Sequence, residues 1–156
     1  MEEATHRGVE ERVMTALPNW VNTINQLNRL IADRLGVAAS DLDCLHVLRL
    51  QGPVTAAELA RHIGLTPGSV SRMIDRLDAG GFITRTDDPD DRRRVLIEAD
   101  GKGLARVAAH YKGLTARSHD DLAAFRVDEL DVLLRFVERS HHNAAEEVAR
   151  LRRDRP

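Results

Sequence analysis

Ser69, Arg72 and Arg76 stand at i, i+3 and i+7 of a segment whose apolar residues Val70, Ile74 and Leu77 fall on the opposite side of a helix. A hydroxyl beside two guanidinium groups on one exposed face can hold phosphate oxygens, and an arginine there can pair with O6 and N7 of guanine. Thr66, Gly68 and Ser71, from the first part of the same segment, add hydroxyl and backbone N–H donors. Asp75 and Asp78 flank the face and are expected to weaken attachment that ignores sequence. Further along, Arg85 precedes a polar tip that ends in Asp91, Arg92 and Arg93. Double-stranded DNA is the partner that these residue types in this order would take.

The neighbouring residues explain how such a face would be held. Thr55 followed by Glu58 is the signature of a capped helix start. Ala60 is followed four residues later by Gly64 and ten residues later by Val70, with Leu59, Ile63, Leu65 and Met73 filling the apolar positions. Two helices can cross closely at the small Ala60, and Gly64 turns the chain between them, which is the spacing of a helix-turn-helix. Residues 82–85 and 95–98 change to strand-like runs around the polar tip 87–93. A hairpin appended directly to a recognition helix makes a winged helix; the alternative is a helical hairpin with a solvated charged face. Between Gly52 and Glu98 there are seven arginines and no lysine against eight acidic residues. Binding must therefore depend on where Arg72, Arg76, Arg85, Arg92, Arg93 and Arg94 point, and it should be sensitive to salt.

On either side lie helical arms. Val13, Leu17, Trp20, Ile24, Leu27 and Ile31 recur at helical spacing up to Gly36. A short second helix, capped by Ser40 and Asp41, runs through Leu42, Leu45 and Leu48 to Gly52. After a cap at Asp100 a fifth helix carries Leu104, Val107, Tyr111 and Leu114. A sixth opens at Asp128 with Leu130, Leu133, Leu134 and Val137, extended by Val148 and Leu151. The expected fold is mainly α with a small β-hairpin, a winged helix-turn-helix over 37–100 between N- and C-terminal dimerisation helices at 1–36 and 101–156. Few other surfaces can cover the stripes, so a second copy is expected to pack on Val13, Leu17, Trp20, Leu130, Leu133, Leu134 and Val137. An intramolecular bundle is the alternative.

Composition bounds these readings. The 156 residues suit one domain with arms, and 42% hydrophobic against 31% charged residues is enough to fold. Trp20, Phe82, Tyr111, Phe125 and Phe136 are the only aromatic residues, so the core must be aliphatic. A net charge of −2 provides no global attraction for nucleic acid. No apolar run is long enough to span a membrane and no signal pattern is seen, which points to the cytoplasm and to no membrane partner. The single Cys44 lies among leucines, where a thiol is an inert core residue. The histidines contain no pair at metal-binding helical spacing; His46 reads as a polar core or interface residue and His62 as a surface one. With no Gly-x-Ser-x-Gly, phosphate loop or paired acidic motif, no enzyme and no cofactor are expected. The main rival function is a winged-helix protein-interaction module without direct DNA readout.

Gly64-Leu65-Thr66-Pro67-Gly68-Ser69-Val70-Ser71-Arg72-Met73-Ile74-Asp75-Arg76-Leu77, then Gly81-Phe82-Ile83, then Asp88-Pro89-Asp90-Asp91-Arg92-Arg93 resembles the multiple antibiotic resistance regulator (MarR) family of bacterial transcription factors. The resemblance spans about residues 40–103, and the Asp-Pro-x-Asp-Arg-Arg wing makes it specific. It implies a homodimer with a winged helix per subunit, a near-palindromic operator, and repression relieved by a small ligand or an oxidant. An Asp91–Arg93 pair across the tip would neutralise one of its acids and hold the guanidinium extended; the resemblance further implies that Arg93 enters the minor groove and that an effector crevice would be lined by Trp20 and His46. Where the family commonly has Leu-Thr before Glu-x-Gly, this chain has Ala99-Asp100 before Gly101-Lys102-Gly103. Asp100, although a possible cap, is turn-prone, and with Gly101 and Gly103 it is expected to fray that helix start and to loosen its coupling to the wing.

Overall fold

The computed structural model describes residues 5–154. The first helix, α1 (His6–Leu35), begins well before the apolar stripe, because the Thr5 hydroxyl accepts the Gly8 N–H (3.3 Å) and caps it. It continues through Pro18 and ends at Gly36. In α2 (Ala39–Gln51) the cap differs from the sequence expectation: Ala38, not Ser40 or Asp41, holds the cap position. Asp41 lies inside the first turn, and its carboxylate reaches back to accept the Ala38 N–H (2.9 Å).

After Gly52-Pro53 two residues form β1 (Val54–Thr55), a strand too short to leave an alternating pattern. Thr55 then caps α3 (Ala56–Ile63): its hydroxyl accepts the Glu58 N–H (3.3 Å) and the Glu58 carboxylate accepts the Thr55 N–H (2.8 Å), as the spacing predicts. That backbone donor, with the Thr55 hydroxyl second, holds the Glu58 carboxyl below its ordinary range. Gly64 ends α3 at φ 76°, a conformation that a side chain resists, and the Thr66 hydroxyl caps α4 (Pro67–Ala79).

Strands β2 (Ile83–Asp87) and β3 (Val95–Ala99) pair antiparallel, with Ile83 opposite Ala99 and Arg85 opposite Ile97. The expected hairpin is the larger part of a three-stranded sheet, because β1 pairs with the other edge of β3, Val54 opposite Ile97. The buried core joins Cys44, Leu45 and Leu48 of α2, Leu59 and Ala60 of α3, Val70, Met73, Ile74 and Leu77 of α4, and Phe82, Ile83 and Ile97 of the sheet region. Phe82 is its single aromatic residue.

The expected fraying after the wing does not occur. In α5 (Gly101–Ala123), Asp100 accepts the Gly103 N–H (2.8 Å) as the predicted cap. Gly103 is buried, and a Cβ placed on it would lie 2.6 Å from the Phe82 Cα and 2.7 Å from the Gly81 carbonyl oxygen. The glycine is what lets the helix start press onto the Phe82 backbone. Three residues later Arg106 lies over the Phe82 ring (4.2 Å) and donates to the Gly80 carbonyl (2.8 Å), closing the joint.

The last helix, α6 (Val127–Arg153), opens one residue before Asp128, with Arg126 at the cap and Glu129 accepting the Arg126 N–H (2.8 Å). The chain divides into two compact units, one ending at His110 and one beginning at Tyr111. None of the described residues of the second unit is buried; Leu133, Leu134, Phe136, Val137, Val148 and Leu151 are exposed. Within the first unit, α1 likewise exposes Val13, Met14, Trp20 and Leu30. No helix among the described residues is long and apolar enough to cross a membrane.

Candidate nucleic-acid interface

The recognition face begins at the α4 N-terminus. Packing of Val70, Met73, Ile74 and Leu77 into the core leaves Thr66, Gly68, Ser71 and Arg72 exposed and Ser69 half-buried. The Thr66 hydroxyl donates to the Ser69 hydroxyl (3.0 Å), and Arg72 donates to the same oxygen over a long 3.4 Å. Ser71 returns its proton to the Pro67 carbonyl (3.1 Å). This end of the helix therefore offers two hydroxyls and a weakly held guanidinium to solvent.

Arg76 behaves differently from Arg72, although both lie on the same face. Its guanidinium turns inward to Asp41 of α2, Nη2 donating to Oδ1 (2.6 Å) and Nε to Oδ2 (3.2 Å). Asp41 is 0% exposed and the Arg76 side chain 47%. The hydrogen bond it donates to Asp41, with burial opposing, raises Arg76 further above the guanidinium's usual range.

Arg85 is held as well. It donates to Asp75 (2.6 Å) and lies 2.9 Å from Asp78, so the two acids that flank the recognition face are neutralised by the first strand of the wing. Hydrogen bonding to Asp75 is the main cause of its raised pKa. Arg94 lies 3.4 Å from Asp88 and 3.8 Å from Glu58, tying the wing to α3. Asp88 is buried and also accepts the Asp90 N–H (2.9 Å), which folds one acid of the tip inward.

At the tip the expected Asp91–Arg93 pair is present. Asp91 accepts both the Arg93 N–H (3.0 Å) and its Nε–H (3.3 Å), which leaves the two terminal nitrogens of a 92% exposed side chain outside the pair. Arg92 is exposed and makes no ion pair among the described residues. The arginines thus sort into two groups. Arg76, Arg85 and Arg94 fasten the lobe to itself, while Arg72, Arg92 and Arg93 present guanidinium nitrogens to solvent.

Sequence reasoning did not find the Asp41–Arg76, Arg85–Asp75 and Arg106–Phe82 contacts. The only prior signal was the oddity of so many acids beside a DNA-facing helix. His62 is exposed as expected, whereas His46 is exposed too and is no part of the core. Trp20, expected on a covered stripe, is 63% exposed in the single chain. Cys44 is fully buried, and desolvation, then the charges of Asp41 and Asp43, push its thiol up to about 12.

The MarR family model matches residues 37–95, the lobe that carries the face. The HTH-type transcriptional regulator YcgE of Bacillus subtilis is 33% identical over 121 residues, covering 78% of this chain and 79% of that protein. The chain belongs to the MarR family. As a MarR-family protein it is a DNA-binding transcriptional regulator built on a winged helix. A MarR family protein from Bacillus stearothermophilus has the same fold, with a TM-score of 0.67 at 19% identity over 91% of this chain and 99% of that one. A variant of E. coli MarR in complex with operator DNA matches with a TM-score of 0.53 at 24% identity over 84% of this chain and 95% of its own.

Proposed function

We propose that this MarR-family protein is a homodimeric repressor. It places α4 in the major groove and the wing tip in the minor groove of a near-palindromic operator, and releases it when a small ligand binds. The sorting of the arginines supports the DNA face: Arg72 and Ser69 remain for base and phosphate contacts, and Arg92 and Arg93 for the wing. Arg85 serves this face indirectly by neutralising Asp75 and Asp78. The unburied stripes of α1 and α6 support pairing through Val13, Leu17, Trp20, Leu130, Leu133, Leu134 and Val137. Two recognition helices in a dimer meet half-sites about 34 to 36 Å apart, hence the near-palindrome.

Selection of duplexes from a random pool, followed by affinity measurements over a salt series, tests this reading. Three solvated arginines per chain, six per dimer, give a slope of log K against log salt no steeper than about −5, whereas Arg72, Arg76, Arg85, Arg92, Arg93 and Arg94 all acting on phosphates would give about −11. A slope near the larger figure, or selected sites without two-fold symmetry, would refute it. Trp20 and His46 are the residues proposed to meet the ligand, and Trp20, the single tryptophan, reports on it by fluorescence. A ligand that releases DNA should change that emission.

A further inference from the structure

We propose that Asp41 is a positioning residue for DNA recognition: it withholds Arg76 from the duplex and uses it to fix the C-terminal half of α4 on α2. Sequence discrimination would then depend on a carboxylate that never reaches DNA. The proposal deepens the reading of α4 as the DNA-facing helix and rests on it.

Both carboxylate oxygens of Asp41 are used. Oδ2 accepts the Ala38 N–H (2.9 Å) and Arg76 Nε–H (3.2 Å), and Oδ1 accepts Arg76 Nη2–H (2.6 Å). The side-on fork fixes the orientation of the guanidinium as well as its position, which a lysine could not do. Arg76 lies one helical turn beyond Arg72 on the same face of α4, and half of its side chain is exposed. If released, it would add a mobile cation to the DNA-facing surface. Such a cation attracts phosphates whatever the base sequence, so it strengthens attachment to every duplex and dilutes discrimination.

A phosphate cannot take Arg76 from Asp41 without leaving the carboxylate charged at 0% exposure, and stranding one member of a buried pair is strongly unfavourable. The exchange is therefore blocked by burial rather than by distance. Asp75 and Asp78, the two acids of α4 itself, are occupied by Arg85 and offer Arg76 no substitute partner.

The experiment uses the full-length chain, a duplex selected from a random pool and a scrambled duplex of the same length. Affinities are measured over a salt series for wild type, Asp41→Asn, Arg76→Gln and the double variant. In Asp41→Asn the amide oxygen still accepts the Ala38 N–H while the guanidinium is released. Its affinity for the scrambled duplex should rise about tenfold, with a slope steeper by about two for a dimer, and the ratio of selected to scrambled affinity should fall. Removing the cation in the double variant should return the slope to that of wild type. A wild-type slope and ratio in folded Asp41→Asn would overturn the proposal. So would a slope shallower than wild type by about two in Arg76→Gln or the double variant, since Arg76 would then be a phosphate contact. Should Asp41→Asn lose its far-UV spectrum, the double variant, which strands no charge, decides by the same slope. Arg72→Ala run in parallel keeps the two readings apart: full affinity there would overturn the assignment of α4, while a wild-type slope in Asp41→Asn overturns only the role of Asp41.

Discussion

The chain up to His110 and the chain from Tyr111 onward are built on opposite terms. The first unit gathers thirteen buried residues from α2, α3, α4 and the sheet region around Phe82 into one core cluster, and fastens its edges with Arg76, Arg85, Arg94 and Arg106. The second buries none of its described residues, although α6 carries a leucine and valine stripe as regular as any in the lobe. A helix of that length with an uncovered apolar stripe draws its stability from packing, so the stripe requires a surface that the unit itself lacks. The lobe is closed on itself, whereas α6 leaves its stripe open.

The largest effect is expected where the open part is made polar. Leu133→Asp with Val137→Asp should abolish pairing and yield monomers or aggregates by sedimentation, while the lobe keeps its own fold. A wild-type chain that sediments as a monomer at micromolar concentration would break the contrast altogether.

Next comes the closed part. Gly103→Val forces a side chain against the Phe82 backbone, which cannot step aside as a flexible side chain would. It should cost about 3 kcal/mol in urea unfolding, at the upper end of overpacking penalties. Gly101→Ala, where a Cβ meets nothing within 4 Å, should be neutral or slightly stabilising, and equal effects at the two glycines would refute the close-approach role.

Smaller still are the effects on the reading surface. Arg72→Ala should lose about 1 to 3 kcal/mol of specific binding if it reads a base. Arg93→Ala should lose affinity mainly on operators with A·T-rich flanks, whose narrow grooves attract arginine, and Asp91→Ala should lose less. Equal losses on A·T-rich and G·C-rich flanks would make Arg93 a phosphate contact.

The smallest effect concerns Cys44. Its thiol, raised by burial to about 12, stays protonated in the folded protein. The raised value means that the stabilisation is complete below the unfolded pKa of about 8.5 and is lost as pH climbs through 12. Alkylation at pH 8 should therefore await unfolding and track the urea transition; rapid labelling of the native protein would show the core of the lobe to be open.

Much of this was legible in the order of residues. The Thr55–Glu58 box, the Thr66 cap, the Gly64 turn and the strand runs about the tip are local, set by groups within four residues of one another, and they appear where the spacing puts them. The Asp91–Arg93 pair belongs with them, since its partners stand two positions apart. Periodicity also marked the apolar stripes of the arms, but not what covers them.

Contacts across long separations were decided only in three dimensions. Strand β1 is two residues long and exists because β3 offers it an unpaired edge. Gly103 looked like a helix breaker and is a packing requirement, a difference that depends on Phe82 lying 2.6 Å from the missing Cβ. Arg76 shares its helical face with Arg72, so period alone gave both the same role. Asp41, thirty-five residues earlier in the chain, separates them. The sequence by itself determined the elements and the face, because caps, turns and stripes act over one or two helical turns. Tertiary structure decided which charges on that face are already spent, because an ion pair is set by distance and burial, and neither is written in the spacing along the chain.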